Sequence, residues 1–163
     1  GMATTERALD EAQRATTPDA GLPALPLTSA AQLSRLLNGL RTFVGVLDLD
    51  GRVLQVNQAP LDAAGLTLAD VLGRAFWDTL WWSHSTATAA RIRAACERAA
   101  RGERARFDVE YAALGGRPRW LEFAIEPLTD DTGRVTHLVP SGVDIHDRKL
   151  AEQDLLASYA RFE

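Results

Sequence analysis

The sequence predicts an α+β fold built on one antiparallel sheet. Three observations lead there. Phe43 to Leu49 and Arg52 to Asn57 are strand-like and joined at Asp50-Gly51. Three more strand-like runs, Arg104 to Ala112, Trp120 to Leu128 and Arg134 to Val143, follow one another with only short turns between them. The helical patterns lie between these two groups, and hairpins separated by helices cannot form a series of parallel βαβ units. Five antiparallel strands are expected.

In order along the chain, residues 1–27 read as an N-terminal helix and a Pro-rich tether. The helix, Thr4 or Thr5 to Thr16, has a thin apolar stripe, and the tether holds Pro18, Gly21, Pro23 and Pro26. Residues 28–40 read as a flanking helix, capped by Thr28 or Ser29, with Leu33, Leu36, Leu37 and Leu40 on its apolar side. Asp50-Gly51 accepts the positive φ angles of a tight hairpin. Asn57 either caps Gln58 to Ala64 or makes a turn or ligand contact. Thr67 and Asp70 have capping-box spacing before a brief helix that Gly73 ends.

Phe76, Trp77, Trp81 and Trp82 put four large aromatics into seven residues. Each removes on the order of 150 to 250 Å² from water, so they either fill the core or line a cavity for an aromatic or apolar ligand. Ser83 or Ser85 starts a long helix to about Arg101, with Ile92, Ala95, Cys96 and Ala99 on one side. In the next strand Ala105, Phe107, Val109 and Tyr111 alternate with Arg106, Asp108 and Glu110. Leu114-Gly115-Gly116-Arg117 turns the chain back.

Leu121, Phe123 and Ile125 then alternate with Glu122, Ala124 and Glu126. Parity puts Trp120 on the outer face, where it meets a subunit or helix, or is covered by the Leu33 to Leu40 helix. Thr129 to Gly133 forms a polar turn. The final strand is apolar on both periods, and Pro140 cannot donate to a ladder, so a bulge or a gap in pairing is expected there. Asp144 is placed to cap a helix with Asp147 in its first turn. Ile145, Arg148, Glu152, Leu155, Tyr159 and Phe162 follow at steps of three and four, a heptad seam with two charged positions. The pattern is still running at the last residues, so residues 144–163 are expected to begin an exit helix to an output domain.

Composition narrows the function. At 163 residues the chain suits one domain with extensions. A net charge of −4 without a basic cluster argues against nucleic acid or an anionic membrane as partner. The single cysteine, Cys96, cannot form an internal disulfide, and no apolar run approaches a membrane span, so a cytoplasmic location is expected.

The closing hairpin followed by Asp144-Ile145-His146 and Asp147-Arg148-Lys149 resembles the end of a PAS domain, where Asp-Ile-Thr and a basic pair mark the exit into a signalling helix. His146 stands where the family usually has threonine. The resemblance runs from Arg41 to Lys149: the opening hairpin matches the family's first strand pair, and Asn57 with Ala59 matches its Asn-x-Ala step. It implies a PAS core over 41–143, with the first of five strands beside the last and helices across one face enclosing a pocket. It further implies a sensory module of a bacterial signalling protein, a homodimer covalently linked to a histidine kinase or cyclic-dinucleotide enzyme. The pocket candidates are Asn57, Phe76, Trp77, Trp81, Trp82, His84, Phe107, Leu121 and Phe123. Asp144, Ile145 and Arg148 are the candidates for signal relay.

No cofactor is specified. Some PAS domains bind haem through a histidine on the long helix, and His84 lies near its start, but no second ligand is in reach and a surface or capping role is favoured. A flavin-binding subgroup places its cysteine just ahead of that helix inside Asn-Cys-Arg, whereas Cys96 falls late among alanines and reads as a buried thiol. His137 and His146 are expected to be exposed, and no zinc spacing is present. There is no phosphate loop, catalytic triad or His-Glu-x-x-His, so the chain itself is not expected to be an enzyme. Asp48 with Asp50, and Glu122 with Glu126, read as turn and strand-surface carboxylates. The alternative is a small cone-shaped isomerase or lyase with a Trp-lined pocket. It requires a buried acid or base, for which only Asp78 and His84 are available, and such folds place their helices first.

Overall fold

The computed structural model describes residues 42–161. The helix and tether expected over residues 1–27 and the flanking helix over residues 28–40 lie outside the described residues. Five strands, β1 (Phe43–Leu47), β2 (Val53–Val56), β3 (Ala105–Ala112), β4 (Pro118–Thr129) and β5 (Val135–Asp144), form one antiparallel sheet in the order β2-β1-β5-β4-β3. Three helices, α1 (Gln58–Ala64), α2 (Leu68–Val71) and α3 (Thr86–Ala100), lie between the opening hairpin and β3, with 3₁₀ turns at Phe76–Asp78 and Leu80–Trp82. A fourth, α4 (His146–Arg161), leaves the end of β5. The first strand lies beside the last, as the resemblance implies.

Local chemistry accounts for the joints. Asp48 Oδ1 accepts from the amides of Asp50 and Arg52, and Gly51 takes φ 83°, which closes the first hairpin. A side chain at Gly51 would also meet Trp77, since a Cβ built there lies 2.3 Å from Trp77 Cζ3. The Thr67 amide donates to Asp70 Oδ2 at 2.8 Å, as capping-box spacing predicts. Ser85 caps α3, its Oγ accepting from the Thr88 amide. Asp130 Oδ1 accepts from the Thr132 hydroxyl and from the amides of Thr132 and Arg134 in the last turn, and these bonds hold its carboxyl below the usual value.

Pro140 sits in register with Ile125 of β4. On its other side β1 pairs Val44 with Ser141 and resumes at Leu47 with Leu138, so the ladder lapses where Gly45 faces Pro140. The expected gap is there, on the β1 side alone. The bulges fall elsewhere, at Val46/Leu47 and Leu128/Thr129.

The core fills the space between one sheet face and the helices. Leu47, Ile125 and Leu138 are fully buried and Phe123 is 1% exposed, packed with Val71, Ile92 and Cys96 from the helical side. Phe76 is the hub of an aromatic cluster, 5.5 Å from Trp82, 6.0 Å from Trp81 and 6.3 Å from Phe123 between ring centres. At roughly 150 to 250 Å² per ring and about 25 cal/mol per Å², each contributes about 4 to 6 kcal/mol of gross burial.

Candidate ligand cavity and exit helix

The aromatic cluster does not close completely. An apolar cavity of about 40 Å³ remains between it and the sheet. Phe76, Trp81 and Trp82 wall it on the helical side, Leu121 and Phe123 on β4, and Phe43 and Tyr111 at one end. Val44 and Gly45 of β1 and Pro140, Ser141 and Gly142 of β5 form the floor. Leu121 packs directly onto Gly142, where a Cβ would lie 2.9 Å from Leu121 Cδ1.

The wall has few polar groups. Trp81 Nε1 donates to the Pro60 carbonyl at 2.9 Å and is satisfied. Trp82 Nε1 is buried and has no acceptor among the described residues. An unmet buried donor costs about 1 to 3 kcal/mol.

Tyr111 connects the cavity to the exit. Its ring meets Phe43 edge-on at 5.6 Å, and its hydroxyl donates to Asp144 Oδ2 at 2.5 Å. The same carboxylate accepts from Arg119 Nε at 2.8 Å and Nη2 at 3.2 Å, and from the His146 amide at 3.0 Å. Burial raises the Asp144 carboxyl, but the bonds from Arg119, Tyr111 and the His146 amide outweigh it and hold the group below its usual value. Burial, reinforced by the bond to Asp144, pushes the Tyr111 phenol up. Asp144 is thus fixed as an anion at the first turn of α4.

The rest of that turn is fastened to the outer face of the sheet. Ile145 is buried, and its amide donates to the Trp120 carbonyl at 2.9 Å. His146 Nδ1 accepts from the Trp120 amide at 3.2 Å, a role that requires the neutral ring with its proton on Nε2. Lys149 Nζ reaches Asp108 Oδ2 at 2.7 Å and lies 5.2 Å from the centre of the Trp120 ring. Trp120 is accordingly on the outer face, half-buried against α4. Beyond Lys149 the helix has no buried residue, and Leu155 and Tyr159 are 57% and 66% exposed.

A family model described as the PAS fold matches residues 37–150. The chain belongs to the PAS family. Within it, the sensor histidine kinase TmoS of Ectopseudomonas mendocina is 37% identical over 124 residues, 74% of this chain but 13% of its own. Hybrid signal transduction histidine kinase D of Dictyostelium discoideum is 30% identical over 122 residues, again 74% of this chain and 8% of its own. The chain therefore spans a small part of each relative. Among solved structures, the PAS domain of Bordetella pertussis BvgS matches at 25% identity and a TM-score of 0.59, over 79% of this chain and 95% of that one. An RNA-binding light-oxygen-voltage receptor matches at 25% identity and 0.65, over 88% and 42%. Kinship with the PAS domains of sensor histidine kinases supports a sensory role in signal transduction.

Of the pocket candidates in this PAS domain, Phe76, Trp81, Trp82, Leu121 and Phe123 line the cavity and four do not. Asn57 is buried, but its Oδ1 accepts from the Val44 amide and its Nδ2 donates to the Thr42 carbonyl, so it secures the start of β1. It also makes no side-chain cap on α1. Trp77 packs outward over Gly51, with the Arg93 guanidinium 5.3 Å from its ring. Phe107 stands between Phe123 and the Arg91 guanidinium, toward α3. His84 is exposed, because the turn before α3 faces solvent. Asp78 is exposed as well, so the isomerase or lyase reading loses both candidate groups.

His137 and His146 are half-buried rather than exposed. Arg148 pairs with Glu152 at 3.6 Å, both side chains 57% exposed. Cys96 is buried, its thiol pushed up to about 12 by burial and then by Glu97, which makes it unreactive. Among the described residues no group of His, Cys, Asp and Glu has the arrangement of a metal site, and no helix is long and apolar enough to cross a membrane. The sequence assigns Tyr111 and Arg119 no part in the site, and Lys149 only a place in the basic pair. Tyr111 was legible as an inward residue of β3, but its partner lies 33 positions away.

Proposed function

We propose that this PAS domain is a cytoplasmic sensor that binds a small apolar or aromatic molecule in the cavity and relays occupancy through Tyr111 and Asp144 to α4. From there the message passes to an output domain, a histidine kinase before a cyclic-dinucleotide enzyme, since both relatives described above are named as histidine kinases. Tyr111 carries the proposal: one side chain walls the cavity and bonds the carboxylate at the start of the exit helix.

Size supplies the mechanism. A cavity that takes benzene without rearrangement has about 150 Å³, against about 40 Å³ here. A ring-sized ligand must therefore displace wall side chains, and Tyr111 cannot yield without disturbing Asp144. The ligand favours the arrangement with Tyr111 displaced, and the population shifts toward it. In a homodimer pairing along α4, Leu155 and Tyr159 would form the seam that receives the change.

The test is hydrogen exchange on the purified domain with and without ethylbenzene, binding being followed in parallel by native mass spectrometry. Exchange at the amides of Ile145 to Lys149 should quicken when ethylbenzene binds, and should be insensitive to it in Tyr111→Phe. Bound ethylbenzene with unchanged exchange there would exclude the relay; no binding of ethylbenzene or of other small aromatics would exclude the ligand.

A further inference from the structure

We propose that the ligand is an aromatic molecule bearing one hydrogen-bond acceptor, of the aryl ketone or aldehyde class, whose oxygen accepts from Trp82 Nε1. The inference rests on the cavity being a ligand site. Trp81 and Trp82 are neighbours with nearly equal burial, 4% and 3% exposed, and both rings wall the cavity. Their indole N–H groups are treated differently. That of Trp81 has the Pro60 carbonyl, whereas that of Trp82 has no acceptor among the described residues. Buried donors in folded proteins almost always have a partner, and one without invites a functional explanation.

The other polar side chain in the aromatic wall is Tyr111, and its hydroxyl is committed to Asp144. Within that wall Trp82 Nε1 is therefore the donor left for a guest, the remaining polar residue of the lining, Ser141, lying on β5. An apolar chamber whose aromatic wall holds one unmet donor selects a molecule that is apolar except at an acceptor facing that wall. A hydrocarbon of the same shape fills the space but leaves the N–H unmet, and a ligand that donates without accepting gains nothing from it. Aryl ketones and aldehydes carry a flat apolar body and a carbonyl oxygen with two lone pairs, and they meet both demands.

The comparison uses acetophenone and α-methylstyrene, which share a shape but differ in C=O against C=CH₂. Each is titrated by calorimetry into the wild-type domain and Trp82→Phe, so that the ligands' own hydration cancels in the double difference. The substitution should weaken acetophenone about tenfold, the scale of one net hydrogen bond, and leave α-methylstyrene within about twofold. Equal effects on both ligands would overturn the assignment and leave the cavity reading standing. Binding of neither would overturn both. Should Trp82→Phe not fold, the wild-type indole N–H resonance of Trp82 decides: a downfield shift with acetophenone and none with α-methylstyrene is expected, and identical responses would overturn the proposal.

Discussion

Asp144 gathers more chemistry than any other residue of the exit, because four donors from three residues converge on one carboxylate. Losing one of them is graded rather than catastrophic. Tyr111→Phe keeps the ring against Phe43 and removes only the hydroxyl, so it should lower stability by about 1.5 to 3 kcal/mol, the value of a bond to a charged acceptor, as read by urea denaturation. The pH dependence has a definite sign. The folded carboxyl titrates below its unfolded value of 3.8, so its contribution is present above that value and is lost as pH falls through the lower, folded one. Acid unfolding below about pH 4 should therefore be steep in the wild type and flatter in Asp144→Asn. Asp70 and Asp130 are also held low and keep part of the slope. An unchanged slope would remove Asp144 from the account.

At the scale of elements, α4 is two structures in one helix. Its first turn is held by Asp144, Ile145, His146 and Lys149, and the remainder lies free of the sheet. Lys149→Ala removes the ion pair to Asp108 and the contact with Trp120, both only partly buried. It should cost the domain no more than about 1 kcal/mol while raising hydrogen exchange selectively over residues 145 to 150. A loss of stability spread evenly over all five strands would show that Lys149 supports the fold instead. The Asp-Ile and Lys positions were legible as a motif; the fastening of Lys149 to β3 was not, since strand alternation gives the face of Asp108 without giving its neighbours.

At the scale of the molecule, the sheet and the helices enclose a space that neither holds alone, and filling it should stabilise the whole. A ligand bound only by the folded state, at one hundred times its Kd, adds about 2.7 kcal/mol. Thermal unfolding of the domain should rise accordingly with saturating acetophenone. A melting point indifferent to a ligand that calorimetry shows bound would place that ligand on the surface. Pairing along α4 would make the chain's mass concentration-dependent in sedimentation, and Leu155→Asp should return it to a monomer.

The sequence by itself determined the five strands, their inward and outward faces, the hairpin turns, the capping box at Thr67 and the start of α4. These follow from periods of two and of 3.6 residues and from side chains that bond amides within four positions, all of which are local. It also supplied the aromatic residues of Phe76 to Trp82 without deciding their use. Only the tertiary structure decided that Trp81 and Trp82 wall a cavity while Trp77 turns outward over Gly51, that Asn57 braces β1, and that Tyr111 meets Asp144. Each of those depends on which strands become neighbours across long loops, and that pairing is set by burial of the whole core at once.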